Sequence, residues 1–71
     1  MEKKRLNRIK VMLAEKEKTN RWLAEKIERH EFTVSKWCSN AQQPDIETLY
    51  KIAATLEVDI CDLLVRENEN K

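Results

Sequence analysis

The stretch Thr19-Asn20-Arg21-Trp22-Leu23-Ala24-Glu25-Lys26-Ile27, then Glu28-Arg29-His30-Glu31-Phe32, then Thr33-Val34-Ser35-Lys36-Trp37, decides the architecture. The Thr19 hydroxyl can accept a backbone N–H left free at a helix start, so it predicts the N-cap of a helix running to Ile27. Leu23, Ala24 and Ile27 recur at helical spacing and give that helix its inner face. A further helix is expected from Glu31 to Ser39, anchored by Val34 and Trp37, with Thr33, Ser35 and Lys36 lying away from them. Two helices joined by a tight turn need a small residue where the backbones approach, a residue able to enter the turn, and apolar keys on the second helix. Ala24, Glu28, Val34 and Trp37 stand in that order.

Working outward, Leu6, Ile9, Met12 and Leu13 predict an amphipathic first helix over Leu6–Lys16, ending near Lys18. On the other side, Ser39-Asn40-Ala41-Gln42-Gln43-Pro44 is a loop. Asn40 suits a left-handed helix stop there, and Pro44 blocks continuation. Asp45 caps a fourth helix, whose Ile46, Leu49, Ile52, Ala53 and Leu56 repeat at three- and four-residue spacing. Asp59 with Asp62 resembles a capping box, and it predicts a short fifth helix through Leu63, Leu64 and Val65. The fold class expected is all-α: a compact five-helix bundle with a helix-turn-helix.

The chain has 71 residues, no Gly and one Pro. That length predicts one domain over residues 1–71 with its core in about 6–65. The lack of glycine argues against a β-sandwich with its tight turns. Lys plus Arg number 14 and Asp plus Glu 13, a net charge of +1, so the overall balance gives no sign of a polyanionic partner. The distribution says more: Lys3, Lys4, Arg5, Arg8 and Lys10 crowd the N-terminus. A basic segment near phosphates supplies salt-dependent affinity whatever the base sequence, although a solvated arm has the same composition.

No apolar run approaches the roughly 20 residues of a membrane span, and charges stand where a signal peptide would be apolar. A cytoplasmic protein without membrane association is expected. Cys38 and Cys61 lack a CxxC spacing, and His30 is the one histidine, too few ligands for a zinc site; both cysteines read as reduced thiols. With no nucleophile–base pair and no carboxylate pair evident, neither catalysis nor a metal or small-molecule cofactor is expected.

Thr19 through Ile27 with Thr33 through Trp37 resembles the phage-repressor and Cro family of helix-turn-helix regulators, also called XRE-like. Arg8-Ile9-Lys10 before the motif, and Pro44-Asp45-Ile46-Glu47-Thr48-Leu49, Lys51-Ile52-Ala53 and Leu63-Leu64 after it, match the family's flanking helices. The resemblance therefore extends from about Leu6 to Val65. It implies a lambda-repressor-like domain that binds double-stranded DNA and regulates transcription, with the third helix in the major groove and the second across the backbone.

Carried over position by position, the resemblance places Glu31, Phe32, Thr33 and Lys36 in the groove. Asn20 would bind a phosphate or brace the third helix, and Asn40 with Gln42 would reach the sugar-phosphate strand. Arg8, Lys10 and Lys36 would supply affinity. Lys36 can donate to guanine O6 and N7, Phe32 can pack on a thymine methyl, and Glu31 can accept from cytosine N4. Other readings stand beside these. Phe32 could be a core residue, Glu31 a first-turn acid favoured by the helix dipole, His30 an N-cap, and Trp22 either an interface residue or a cover for the core edge. A homodimer reading two half-sites is expected, with Leu64, Val65 and Tyr50 as its first candidate surface. The rival is an interaction module of the same fold, such as the partner-binding part of an antitoxin or a regulator that has lost its DNA contacts.

The chain departs from the family in four places, one of them the loop after the third helix, where Ala41-Gln42-Gln43 lacks the basic residues often found there. Glu28 replaces the usual turn glycine and would have to adopt a left-handed backbone at a cost of about 1–2 kcal/mol. Arg29 replaces an apolar residue; its stem could lie over the core while the guanidinium reaches solvent or a phosphate. Leu13 and Cys38 stand where many members hold an Arg–Glu pair, and an apolar pair can replace a buried ion pair if both partners change.

Overall fold

In the computed structural model, residues 5–65 are described, and they form α1 (Ile9–Glu15), α2 (Asn20–Ile27), α3 (Glu31–Cys38), α4 (Ile46–Leu56) and a closing 3-10 turn, Ile60–Leu63. Lys3, Lys4 and the tail beyond Val65 lie outside the described residues. The expected all-helical architecture is present, but with four α-helices among the described residues rather than five. Asp59 and Asp62 do form the capping box, yet the box opens a single 3-10 turn. The reason lies downstream. Leu64 is extended, the Leu63 carbonyl accepts from the Arg8 N–H at 2.7 Å, and the Val65 N–H donates to the Leu6 carbonyl at 3.1 Å. Backbone groups that would continue a helix are used instead to bridge Leu64 to Asn7 in antiparallel fashion.

The same bridge shortens the first helix. Leu6 was expected on its inner face but lies before it and is 46% exposed; Ile9, Met12 and Leu13 are buried as expected. Asn7 makes the start of α1, its Oδ1 accepting from the Ile9 N–H at 3.1 Å. The helix ends at Glu15, and Glu17 turns left-handed, so Thr19 is free to cap α2 by accepting from the Trp22 N–H at 3.0 Å. Asp45 caps α4 through the Thr48 N–H at 2.8 Å. Hydrogen bonds from the Thr48 side chain and backbone hold the Asp45 carboxyl below its ordinary pKa.

One core cluster joins all these elements: Ile9, Met12 and Leu13 from α1, Leu23, Ala24 and Ile27 from α2, Val34, Trp37 and Cys38 from α3, Leu49, Ile52, Ala53 and Leu56 from α4, and Leu63. Each aliphatic side chain fully removed from water contributes about 1.5–3 kcal/mol. Ala24 is nearly inaccessible, as the close approach of α2 to α3 requires. Leu13 and Cys38 are both buried in this cluster.

With no glycine available, tight corners fall to other residues: Glu17, Glu28, Asn40 and Glu57 all have φ between 56° and 62°. A side chain with a Cβ in this region costs about 1–2 kcal/mol. Glu57, the left-handed C-cap of α4, also sets a carboxylate at the unfavourable end of the helix dipole. Glu57→Gly should therefore stabilise the domain by about 1 kcal/mol, because the greater freedom glycine brings to the unfolded chain takes back part of the relief. Chemical denaturation reads this directly, and Glu57→Ala, which keeps the Cβ, should recover much less.

Candidate nucleic-acid interface

The third helix divides cleanly. Val34, Trp37 and Cys38 turn inward, Glu31, Phe32, Ser35 and Ser39 are exposed, and Thr33 and Lys36 are half-buried. Phe32 is 67% exposed, so it is not a core residue. Its ring lies beneath the Lys36 ammonium, 4.5 Å from centroid to Nζ, a cation–π arrangement. Glu31 sits in the first turn of α3, where the helix dipole favours a carboxylate. His30 occupies the N-cap position, but its ring makes no cap hydrogen bond.

Next to this face is an open cleft of about 160 Å³ lined by Lys10, Asn20, Ser35, Cys38 and Ser39. It lies where the starts of α1 and α2 meet the end of α3. The Cys38 thiol donates to Asn20 Oδ1 at 3.3 Å, so Asn20 braces α3. Because that oxygen is engaged inward, the Nδ2 group is the part of the amide able to donate to a ligand in the cleft. Burial pushes the Cys38 thiol up from its ordinary pKa, and nearby Lys10 only partly opposes this; the group is a neutral thiol at physiological pH. Lys10, the Ser35 hydroxyl and the Asn20 amide place donors in the cleft that suit an oxyanion, while the Ser39 hydroxyl donates to the Lys36 carbonyl at 3.1 Å. The sequence reading places Ser35 off the buried face without giving it a role and makes Ser39 only a helix end, although their four-residue spacing puts them on one side of α3.

The remaining expected contacts fare differently. Asn40 is left-handed as expected, but its side chain is buried rather than turned to a sugar-phosphate strand. Its Oδ1 accepts from the Leu6 N–H at 2.8 Å, the Asn7 N–H at 3.0 Å and Gln43 Nε2 at 3.1 Å, and its Nδ2 donates to the Asn7 carbonyl. Asn7 reciprocates, donating to the Trp37 carbonyl at 2.9 Å and to Gln43 Oε1 at 2.6 Å. Gln42 is exposed in the loop, and Arg8 is half-buried beside the bridge to Leu63. The Arg29 guanidinium is directed at Thr48 Oγ1, 3.4 Å away, and lies close enough to Asp45 to lower its pKa; it fastens the α2–α3 turn to the start of α4. Trp22 covers the core edge, with Lys18 and Lys26 over its ring at 4.8 and 5.8 Å.

The α2–turn–α3 unit, with its left-handed Glu28 and outward polar face, is matched by the profile of the Cro/C1-type helix-turn-helix DNA-binding domain over residues 8–69. The chain belongs to the Cro/C1-type family. Among solved structures, it is similar to a candidate DNA-binding protein from Bacteroides fragilis, with 55% identity, a TM-score of 0.84, and coverage of 84% of this chain and 97% of that one. No curated protein matches the sequence significantly. As a Cro/C1-type DNA-binding domain the chain has a partner in double-stranded DNA. No helix among the described residues is long and apolar enough to cross a membrane.

Proposed function

We propose that this chain is a sequence-specific DNA reader that regulates transcription as a homodimer. The observation that carries the reading is the outward face of α3, where Phe32 and Lys36 project while Val34 and Trp37 fix the helix in the core. In this arrangement α3 enters the major groove with Glu31, Phe32, Thr33 and Lys36 toward the base edges. A phosphate would be held by Lys10, Asn20 and Ser35 in the cleft they line, and the start of α2 would contribute its free N–H groups and positive dipole end. Arg8 and Gln42 add contacts to the same strand.

One such helix reads only a few base pairs, so useful discrimination calls for two copies on half-sites about 34 Å apart, one turn of the duplex. Leu64 and Tyr50, 40% and 60% exposed, are apolar side chains available for pairing, with Val65 beside Leu64. The test is selection of duplexes from a random pool, followed by titration at several salt concentrations. A recurring site with a log–log salt slope of about −0.9 per phosphate neutralised is expected. An interaction module of the same fold, as in an antitoxin, would yield no enriched site and no such slope.

A further inference from the structure

The geometry points to a dinucleotide rule: we propose that Phe32 and Lys36 act as one reader of a thymine and a guanine in adjacent base pairs. The inference rests on the placing of α3 in the major groove and adds which step it selects there. Phe32 and Lys36 stand four residues apart on one face of α3. A lysine extended from that face would carry its charge well away from Phe32 and could reach base pairs remote from those under the ring. Here the ammonium is folded back to 4.5 Å from the ring centroid. Neighbouring base pairs rise by about 3.4 Å, so groups this close match one step better than two.

Chemistry then chooses the bases. The ring is 67% exposed, and among the natural bases the apolar feature a major groove offers it is the thymine C5 methyl. An ammonium donates three hydrogen bonds and accepts none. Guanine gives it two adjacent acceptors, O6 and N7, whereas adenine sets an amino donor beside its N7 and cytosine presents an amino donor. The contact between ring and ammonium, a modest attraction at an exposed site, favours the arrangement in which the two groups read side by side. A site with thymine and guanine two or more pairs apart is satisfied at both only when that contact is given up.

The test uses the full chain and its selected site. Thymine is replaced by uracil, which removes only the methyl, and guanine by 7-deazaguanine, which removes only N7. Each duplex is measured with the wild type, Phe32→Ala and Lys36→Ala; both side chains lie outside the core, and circular dichroism verifies that the variants fold. Uracil should weaken the wild type about five-fold and leave Phe32→Ala indifferent, and 7-deazaguanine should weaken it about ten-fold and leave Lys36→Ala indifferent. A selected site without the adjacent pair, or a wild type that tolerates uracil, overturns the proposal while leaving sequence-specific binding intact. A chain with no preference among duplexes overturns both.

Discussion

Asn40→Ala should lower the free energy of unfolding by about 3 kcal/mol or more. One side-chain oxygen serves the N–H groups of Leu6 and Asn7 and the amide of Gln43, and the Nδ2 group serves the Asn7 carbonyl. Truncation to alanine leaves the two backbone donors without their acceptor, at about 1–3 kcal/mol for each that is buried. It also puts alanine at φ 62°, which asparagine tolerates better. Domains of this size are stable by about 0.05–0.15 kcal/mol per residue, so the loss is a large share of the total. Asn40→Gly separates the causes: it keeps the left-handed turn, loses the hydrogen bonds, and should fall between alanine and wild type in a urea titration. Alanine within 0.5 kcal/mol of wild type would show that the amide node contributes little. If Asn40 acted on DNA instead, the glycine variant would lose affinity while still fully folded.

Lys36→Ala should weaken binding to the selected site by about 10- to 100-fold while leaving binding to unrelated duplexes nearly unchanged. The distinction follows from what the charge touches. A lysine on a phosphate weakens every complex equally and reduces the salt slope by about 0.9, whereas a lysine on guanine changes the preferred site and spares the slope. Its stem is half-buried on α3 and its head rests on an exposed ring, so the fold should survive. Lys10→Ala is the matched control, since its ammonium lines the donor cleft; it should lower affinity for all sequences alike. Fluorescence anisotropy across a salt series measures both quantities.

The parts of the fold that were legible in the sequence are those written in local chemistry. Thr19 and Asp45 announced α2 and α4 through their cap hydrogen bonds, and the periodicity of Leu23, Ala24 and Ile27 gave the buried face. Phe32 falls out of phase with Val34 and Trp37, and that phase alone pointed outward. What the sequence did not disclose depends on distant partners. Leu6 looked helical because its spacing to Ile9 is helical, yet its N–H is claimed by a residue 34 positions away. The fifth helix failed for the same reason, since the carbonyl of Leu63 is taken by Arg8.

Asn40 shows the limit within the site itself. The backbone requirement for a left-handed stop could be read from residue type, but the direction of the amide could not, because its ligands belong to the other end of the chain. Asn7, which makes the matching bonds, carries no local signature beyond standing just before an apolar run. Arg29 is similar: its charge suggested an anion, and its observed neighbours are Thr48 and Asp45.

Glu28, at φ 59° and ψ 49°, joins α2 to α3. For a residue bearing a Cβ, the allowed area around those angles is a small island with forbidden ground on every side. Glycine there would be relaxed, and it would also let the elbow swing. The narrow allowed region at Glu28 limits that swing, so, if α3 docks on a duplex as proposed, less orientational freedom would remain to be lost. A glycine at this elbow would thus relieve backbone strain and add thermal stability, yet on the proposed docking it would bring no gain in grip.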